Sequence, residues 1–181
     1  MTAREFNPSH LDVEVFAAEA AEIAGQWPVS RLHRIAESLA AAPTGDDRVT
    51  WNARGERRAA RGGAVQTWLH IGAASRLALE CQRCLKPVVV AIEVKRNFLF
   101  VQGETLAAQL DAETDDDVLA MPRALDLQAL VEDELLLALP LVPRHDVCPE
   151  PLPVRIDEEA AQDAPHPFAA LAALKHAGPL N

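Results

Sequence analysis

The sequence predicts an α+β domain in which residues 48–101 form an antiparallel sheet packed against helices. β-branched and aromatic runs, separated by glycine or proline, fill that segment. Apolar residues at helical spacing precede it and return at residues 126–139. Because no helical pattern lies between the strand-like runs, neighbouring runs should pair antiparallel, and the sheet could close like a barrel.

Two helices are expected before the sheet. Asp12 can cap a helix through residues 13–21, because its carboxylate can accept the free amide hydrogens of the first turn. Residues 25–28, which include Gly25 and Pro28, then interrupt the pattern. Ser30 can cap a second helix, in which apolar side chains recur at helical spacing from Leu32 to Ala40.

Four strand-like runs are expected within the sheet, with Pro87 at a strand start because proline cannot donate to a ladder. Trp51 and Trp68 are assigned structural roles in the core. The runs are Val49–Trp51, Val65–Ile71, Leu77–Leu79 and Val88–Val94.

An acidic loop and a capped helix follow the sheet. Adjacent like charges in residues 111–117 favour a loop over a strand, and Asp126 can cap a helix that runs to about Leu139. Glu134 falls in the middle of the apolar face of that helix. A carboxylate there needs a partner, for which Arg83 is one candidate, unless the side chain reaches solvent at the helix margin.

The C-terminal residues have a different composition. Residues 149–167 are rich in proline and poor in apolar side chains, which predicts a disordered tail. Residues 167–175 are a short helix former within that tail. The predicted organisation is therefore one domain over residues 1–148, followed by a mostly disordered tail over residues 149–181.

Composition narrows the class of protein. The 181 residues carry 17 basic and 27 acidic side chains, a net charge of −10, which argues against binding nucleic acid over the whole surface. The apolar runs are too short to span a bilayer, and the N-terminus lacks the features of a secretory signal. Three cysteines, an odd number, do not suggest a disulfide framework. A soluble, cytoplasmic protein without a small-molecule substrate is expected.

The charge is divided unevenly along the chain. Residues 48–96 carry ten basic and three acidic side chains, whereas both flanks are acidic. The basic segment could form a local surface for RNA or an acidic partner, or its arginines could pair with the acidic segments of the same chain. The candidate binding residues are Arg54, Arg57, Arg58, Arg61, Arg83 and Lys86.

Two pairs of soft ligands share a spacing. Cys81 and Cys84 form a CxxC after a strand-like run, and His145 and Cys148 repeat the two-residue gap. Together they could form a Cys₃His zinc site that ties the sheet to the segment after the last helix. Inert buried thiols are the alternative, and a thioredoxin-like redox role fits less well because this CxxC does not open a helix. The cofactor prediction is therefore none, or zinc.

No catalytic motif is recognisable in the sequence. It contains no GxSxG, Walker loop, HExxH or GxGxxG, and its six histidines are scattered. Asp115–Asp117 or Glu134 could hold a divalent ion, so a metal-dependent RNA-processing enzyme remains an alternative. A third alternative is a zinc-stabilised protein-interaction module outside translation. The leading expectation is that the protein is not an enzyme.

Three motifs resemble the YceD family of large ribosomal RNA subunit accumulation proteins. The first is Leu79–Cys84 with Lys86-Pro87, and the second is Val131–Pro143 with His145-Asp146. The third is the Pro167–Lys175 ending, where His166 replaces an asparagine of the family pattern. Leu85 departs from the glycine that follows the second cysteine in some members.

The resemblance implies a non-enzymatic role in the synthesis, processing or stability of large-subunit ribosomal RNA. Its implied partners are ribosomal precursor RNA or a ribosome assembly protein. The resemblance supplies no catalytic residues.

Overall fold

Five strands form one mixed sheet in the computed structural model of the chain, which describes residues 5–59 and 64–150. The strand order is β1-β2-β3-β4-β5, with antiparallel pairing except between β4 and β5, which are parallel. The α+β prediction is confirmed, but the sheet keeps two edges and does not close into a barrel. The strands are β1 (Glu22–Pro28), β2 (Arg48–Ala59), β3 (Val65–Glu80), β4 (Pro87–Val101) and β5 (Asp117–Ala120).

Helices flank the sheet, and two of the three predicted N-caps, Asp12 and Asp126, are confirmed. Asp12 Oδ1 accepts a hydrogen bond from the Val15 amide at 3.0 Å, and Asp126 Oδ1 accepts one from the Ala129 amide at 3.1 Å. Each bond satisfies an amide that the first helical turn leaves unpaired. The helices are α1 (Val13–Ala18), α2 (His33–Glu37), α3 (Glu104–Glu113) and α4 (Leu127–Leu137), with a 3₁₀ turn at Val29–Arg31.

The main core lies on one face of the sheet, under α1, α2 and α4. Alternate residues of β2 are buried from Val49 to Gly55, as expected for a strand with one covered face. Trp51 stacks on Trp27 in this core, with ring centroids 4.3 Å apart. Trp68 belongs instead to a smaller cluster on the opposite face, where α3 covers the ends of β3 and β4. The rest of that opposite face is uncovered by any described helix.

Several element predictions are wrong in detail. Residues 25–28 do not merely interrupt the chain, because they form most of the edge strand β1. The second helix is only His33–Glu37, and Ser30 lies in the 3₁₀ turn before it. Val29, Leu32 and Ile35, in the 3₁₀ turn and at the start of this helix, are fully buried and attach both short segments to the core.

The acidic segment and the strand count also differ from expectation. Residues 111–113 end α3, and Asp117 begins β5, so the predicted loop is reduced to residues 114–116. The runs at Val65–Ile71 and Leu77–Leu79 belong to one long strand that passes through Gly72. Pro87 begins β4, as predicted.

The residues up to Pro149 that the structure describes belong to one compact unit. The predicted disordered tail at 149–181 and its helical segment at 167–175 lie outside the described residues, apart from Pro149 and Glu150. The domain limits therefore stay a prediction. Within residues 5–59 and 64–150, no helix has the length and apolar character needed to span a bilayer.

Candidate metal centre

The four predicted ligands meet in space. Their ligand atoms, from Cys81, Cys84, His145 and Cys148, all lie within 4.8 Å of one another. Cys81 Sγ is 4.0 Å from Cys148 Sγ, and Cys84 Sγ is 3.4 Å from His145 Nδ1. Zinc–sulfur bonds of about 2.3 Å in a tetrahedron place sulfurs about 3.8 Å apart. The arrangement therefore has the size of a Cys₃His metal site.

Backbone hydrogen bonds join the two halves of this cluster. The turn after β3 is closed by the Cys81 amide, which donates to Lys86 O at 3.0 Å, and by the Leu85 amide, which donates to Cys81 O at 2.8 Å. The Gln82 amide donates to Pro143 O at 2.9 Å. That last bond connects segments about sixty residues apart, so the half-sites approach each other without relying on the ligands alone.

The orientation of His145 suits metal binding. Its Nε2 lies 3.1 Å from Pro87 O, a carbonyl that can only accept, so Nε2 carries the proton and donates. The neutral ring then has its lone pair on Nδ1, the atom that faces Cys84 Sγ. Fixing a histidine tautomer through its second nitrogen is the usual outer-shell arrangement of zinc ligands.

The surroundings of Cys81 favour its thiolate, whereas those of Cys148 favour its thiol. Burial by itself raises the pKa of Cys81, but amide hydrogens of His145, Arg83 and Cys84 outweigh it and lower that pKa to about 5. Burial, followed by the neighbouring sulfurs of Cys84 and Cys81, raises the pKa of Cys148. A cation held by all three sulfurs would stabilise every one of them as a thiolate, since metal binding replaces the proton.

Leu85 adopts a left-handed backbone conformation with φ of 58°. The turn forms despite the departure from glycine at this position. A residue with a Cβ atom is strained by about 1–2 kcal/mol in this backbone region, and glycine would relieve that strain. Glycine also has more conformational entropy in the unfolded chain, which offsets about 0.5–1 kcal/mol of the gain. We expect Leu85→Gly to raise the free energy of unfolding by about 0.5–1 kcal/mol.

Chemical denaturation measures that change, and the metal content of the purified variant serves as its control. A destabilised Leu85→Gly protein would contradict the left-handed turn. Leu79→Gly, in a strand, should destabilise instead.

The described basic residues predicted on β2 do not gather on one surface. Arg54 and Arg58 project from the face of β2 opposite the main core and lie 3.3 and 3.1 Å from Glu56. Arg57 projects to the other face and lies 3.4 Å from Glu14 of α1. Arg61 lies outside the described residues. The binding role of these side chains stays a prediction.

The remaining two basic candidates lie next to the potential metal ligands in the sequence. Arg83 lies inside the CxxC turn, between the two cysteines, and Lys86 follows two residues after Cys84. Their positions in the chain place both within a few residues of the ligands.

The sequence did not predict a polar cluster that lies on the open sheet face, which is the face opposite the main core. His70 Nε2 is 2.9 Å from Glu56 Oε2, and His70 Nδ1 is 2.6 Å from Asn97 Oδ1. The guanidinium of Arg58 lies 5.1 Å from the centre of the Trp68 ring, beside this cluster. The register of three long strands creates it, and only the alternation of polar residues in β2, β3 and β4 could have indicated it.

The contribution of this cluster to the stability of the fold depends on pH through Glu56. Hydrogen bonds from Arg58 and then His70 lower the pKa of Glu56 below its usual value of 4.5. The carboxylate therefore stabilises the fold above pH 4.5, and this contribution is lost as the pH falls through the lowered folded-state pKa. We expect Glu56→Gln to lower Tm at pH 7, and the difference from the parent protein to shrink in acid.

Thermal unfolding at pH 7 and in strong acid tests this expectation. Glu22→Gln is the matched control, because Glu22 is exposed on β1 and forms no ion pair among residues 5–59 and 64–150. An equal Tm deficit at both pH values for Glu56→Gln would contradict the assigned pairing.

The buried carboxylates of α4 have structural partners. Glu134 is 2.9 Å from Arg96 Nε of β4, so the suggestion of Arg83 as its partner is wrong. Glu132 of the same helix is also buried, and its carboxylate accepts hydrogen bonds from the backbone amides of Arg34 and Ile35. The sequence alone does not show that α2 begins against α4.

The acidic residues proposed for a metal-dependent enzyme do not form such a site. Within the described part of the chain, the Cys81–Cys148 cluster is the group of three or more potential ligands that comes together. Glu134 is bound to Arg96, and Asp117 lies 3.9 Å from the same guanidinium. The residues Asp115 and Asp116 are exposed between α3 and β5.

Comparisons with known proteins cover the part of the chain that contains the four potential metal ligands. A family model described as "Large ribosomal RNA subunit accumulation protein YceD" matches residues 69–175. A curated protein of that name from Haemophilus influenzae is 35% identical over 102 residues. That match covers 54% of this chain and 59% of the relative, which is less than two thirds of its length. No solved structure matches.

Proposed function

The chain belongs to the YceD family, and from that membership we propose that it supports the accumulation of large-subunit ribosomal RNA. The observation that carries the proposal is the family match over residues 69–175, which includes all four residues of the metal centre. Action on ribosomal RNA would place the protein in the cytoplasm. It would act by binding precursor RNA or an assembly protein rather than by catalysis.

The proposal assigns Zn²⁺ to Cys81, Cys84, His145 and Cys148. Three sulfurs and one imidazole nitrogen are typical zinc ligands, and four protein ligands complete a tetrahedron. A catalytic zinc keeps one position for water or substrate, whereas this set would leave none. The ion would therefore be structural and would fix the turn after β3 against the segment after α4.

This structural role has a consequence for binding. Arg83 and Lys86 lie in the turn that the ion would hold, so their positions would depend on it. Arg54 and Arg58 could contribute phosphate contacts from the open sheet face, although Glu56 between them offsets their charge. Arg57 and Arg61 complete the proposed set, with Arg57 facing the α1 side.

Depletion followed by complementation tests the proposal. We expect cells depleted of the protein to lose large-subunit ribosomal RNA relative to small-subunit RNA, and the parent gene to restore the ratio. Arg83→Glu should restore it poorly while retaining the fold and the metal. An unchanged ratio after depletion would overturn the proposed function, whereas full rescue by Arg83→Glu would remove only the role of Arg83.

A further inference from the structure

We propose that Cys148 is a site of reversible oxidation, at which peroxide joins its sulfur to that of Cys81 in a disulfide bond. The reaction would displace zinc, because both sulfurs are among the four proposed ligands. The disulfide itself needs only these two side chains, whereas the release of zinc rests on the proposed metal centre. Neither half depends on the role in ribosomal RNA accumulation.

The sulfurs of Cys81 and Cys148 are already close to van der Waals contact. Their Sγ atoms lie 4.0 Å apart, and a disulfide bond of about 2.05 Å requires them to approach by about 2 Å. The two residues are separated by 67 positions in the sequence. The bond would therefore link the turn after β3 to the segment after α4, which is the same connection that the metal would make.

Solvent exposure selects the cysteine that peroxide meets first. Cys81 and Cys84 are 0% and 2% exposed, whereas Cys148 is half-buried. Oxidation of a thiol depends on access as well as on its thiolate character. Metal binding would hold Cys148 as the thiolate, because the metal replaces the proton. Cys148 is therefore the sulfur of this cluster that a small oxidant can reach and oxidise.

The backbone holds Cys81 in place and leaves Cys148 able to move. The Cys81 amide donates to Lys86 O at 3.0 Å, and the Leu85 amide donates to Cys81 O at 2.8 Å. No backbone hydrogen bond involves Cys148 among the residues that the structure describes. A shift of the Cys148 backbone can therefore close the remaining distance without disturbing the turn that carries Cys81.

One peroxide molecule is consumed for each disulfide. The Cys148 thiolate attacks one oxygen of hydrogen peroxide, the O–O bond breaks, and the products are a sulfenic acid and hydroxide. The Cys81 thiolate then attacks the sulfenic sulfur, the S–S bond forms, and a second hydroxide leaves. Two protons from solvent convert both hydroxides to water. The two sulfurs together lose two electrons, which reduce the peroxide.

The arrangement favours Cys81 over Cys84 as the partner of Cys148. Cys84 Sγ faces the ring of His145, with its sulfur 3.4 Å from Nδ1, and that ring is fixed through Nε2 to Pro87 O. A bond from Cys84 to Cys148 would pull the sulfur away from this contact. A bond between Cys81 and Cys84 would need peroxide to enter where both side chains are buried.

The disulfide would leave too few ligands for zinc. Cys84 and His145 would remain, whereas zinc sites in proteins use three or four protein ligands. A thiol reductant can reverse the reaction by attacking the Cys148 sulfur, since Cys81 then leaves as a thiolate. The His145 amide, which donates to Cys81 Sγ at 3.4 Å, stabilises that leaving sulfur.

Treatment of the purified full-length chain with hydrogen peroxide tests the proposal. The reduced protein is freed of reductant, its zinc content is measured, and a chromogenic chelator follows zinc release after peroxide is added. We expect stoichiometric zinc release together with one disulfide within the chain, both reversed by dithiothreitol and added zinc. Trypsin cleaves after Arg83, between the two cysteines of the turn, so mass spectrometry of the digest distinguishes Cys81 from Cys84.

Two variants provide a matched comparison, because each lacks one proposed ligand. Cys84→Ser keeps both reactive sulfurs and should still form the disulfide between Cys81 and Cys148. Cys148→Ser lacks the exposed sulfur and should form no disulfide under the same treatment. Circular dichroism of both variants before oxidation checks that they fold, and the mapping of the parent protein tests the proposal independently of them.

The other products would overturn the proposal. These are a disulfide between Cys81 and Cys84, one between Cys84 and Cys148, one between two chains, and three unmodified thiols. A parent protein that contains no zinc but forms the Cys81–Cys148 disulfide would refute the metal centre and support the oxidation site. None of these measurements involves ribosomal RNA, so the oxidation site and the proposed function can fail separately.

Discussion

Purified protein should contain one zinc ion per chain, and Cys81→Ser should contain none. Cys81 is the most buried of the ligands and accepts backbone amides that favour its thiolate, so serine cannot replace it. Loss of an ion bound at about a thousandfold excess over Kd removes enough stability to lower Tm by about 10 °C in a chain of this size. Elemental analysis and thermal unfolding measure both effects.

Two comparisons make this prediction specific. His70→Asn removes a histidine from the open sheet face and should leave the zinc content unchanged, because His70 contacts Glu56 and Asn97 instead. A metal chelator should lower the Tm of the parent protein to that of Cys81→Ser and should not affect the variant. Parent protein without stoichiometric zinc, prepared under reducing conditions, would contradict the metal centre.

The sequence was most informative where a pattern has one local cause. Asp12 and Asp126 were predicted as N-caps from their position before apolar periodicity, and both accept the expected amides. The equal spacing of Cys81-Cys84 and His145-Cys148 predicted a four-residue group, and the structure brings its atoms together. An N-cap hydrogen bond and the spacing within each pair of ligands involve neighbouring residues, so both can be predicted without the fold. The approach of the two pairs, about sixty residues apart, depends on the fold.

Strand pairing between distant segments was harder to predict from the sequence. Gly25 and Pro28 normally break regular structure, yet β1 forms because its backbone pairs with β2 from Glu22 to Pro28. An edge strand tolerates such residues, since only one side of it carries ladder bonds. The parallel pairing of β5 with β4 likewise depends on α3, whose apolar periodicity is too weak to predict it.

The charge pattern shows the same limit. Ten basic residues within 48–96 suggested one cationic surface, but strand alternation sends Arg57 to one face and Arg58 to the other. Glu56 then lies between Arg54 and Arg58. Composition reports charge per segment, whereas a binding surface depends on which neighbouring strands supply the counter-charges.

Gly55→Ala should destabilise the fold by about 3 kcal/mol, lowering Tm by about 6–12 °C. A glycine between strand-like runs indicates a break between strands, but Gly55 lies inside β2, directly under α1. A Cβ atom there would lie 2.7 Å from both Ala17 Cα and Phe16 O. These are backbone atoms, so no side-chain rotation can relieve the overlap, and α1 would have to move.

Gly45→Ala is the matched control for that change, because a Cβ at Gly45 would meet nothing within 4 Å. It should alter the free energy of unfolding by no more than about 0.5 kcal/mol.

The metal centre lies far from this substitution. Gly55 pairs with Leu69, which is twelve residues before Cys81, or about 40 Å along an extended strand. Gly55→Ala protein should therefore still bind one zinc per chain while unfolding at lower temperature. Unchanged stability would mean that α1 does not pack on β2, and lost zinc would mean that the metal centre depends on the whole sheet rather than on the turn that carries its ligands.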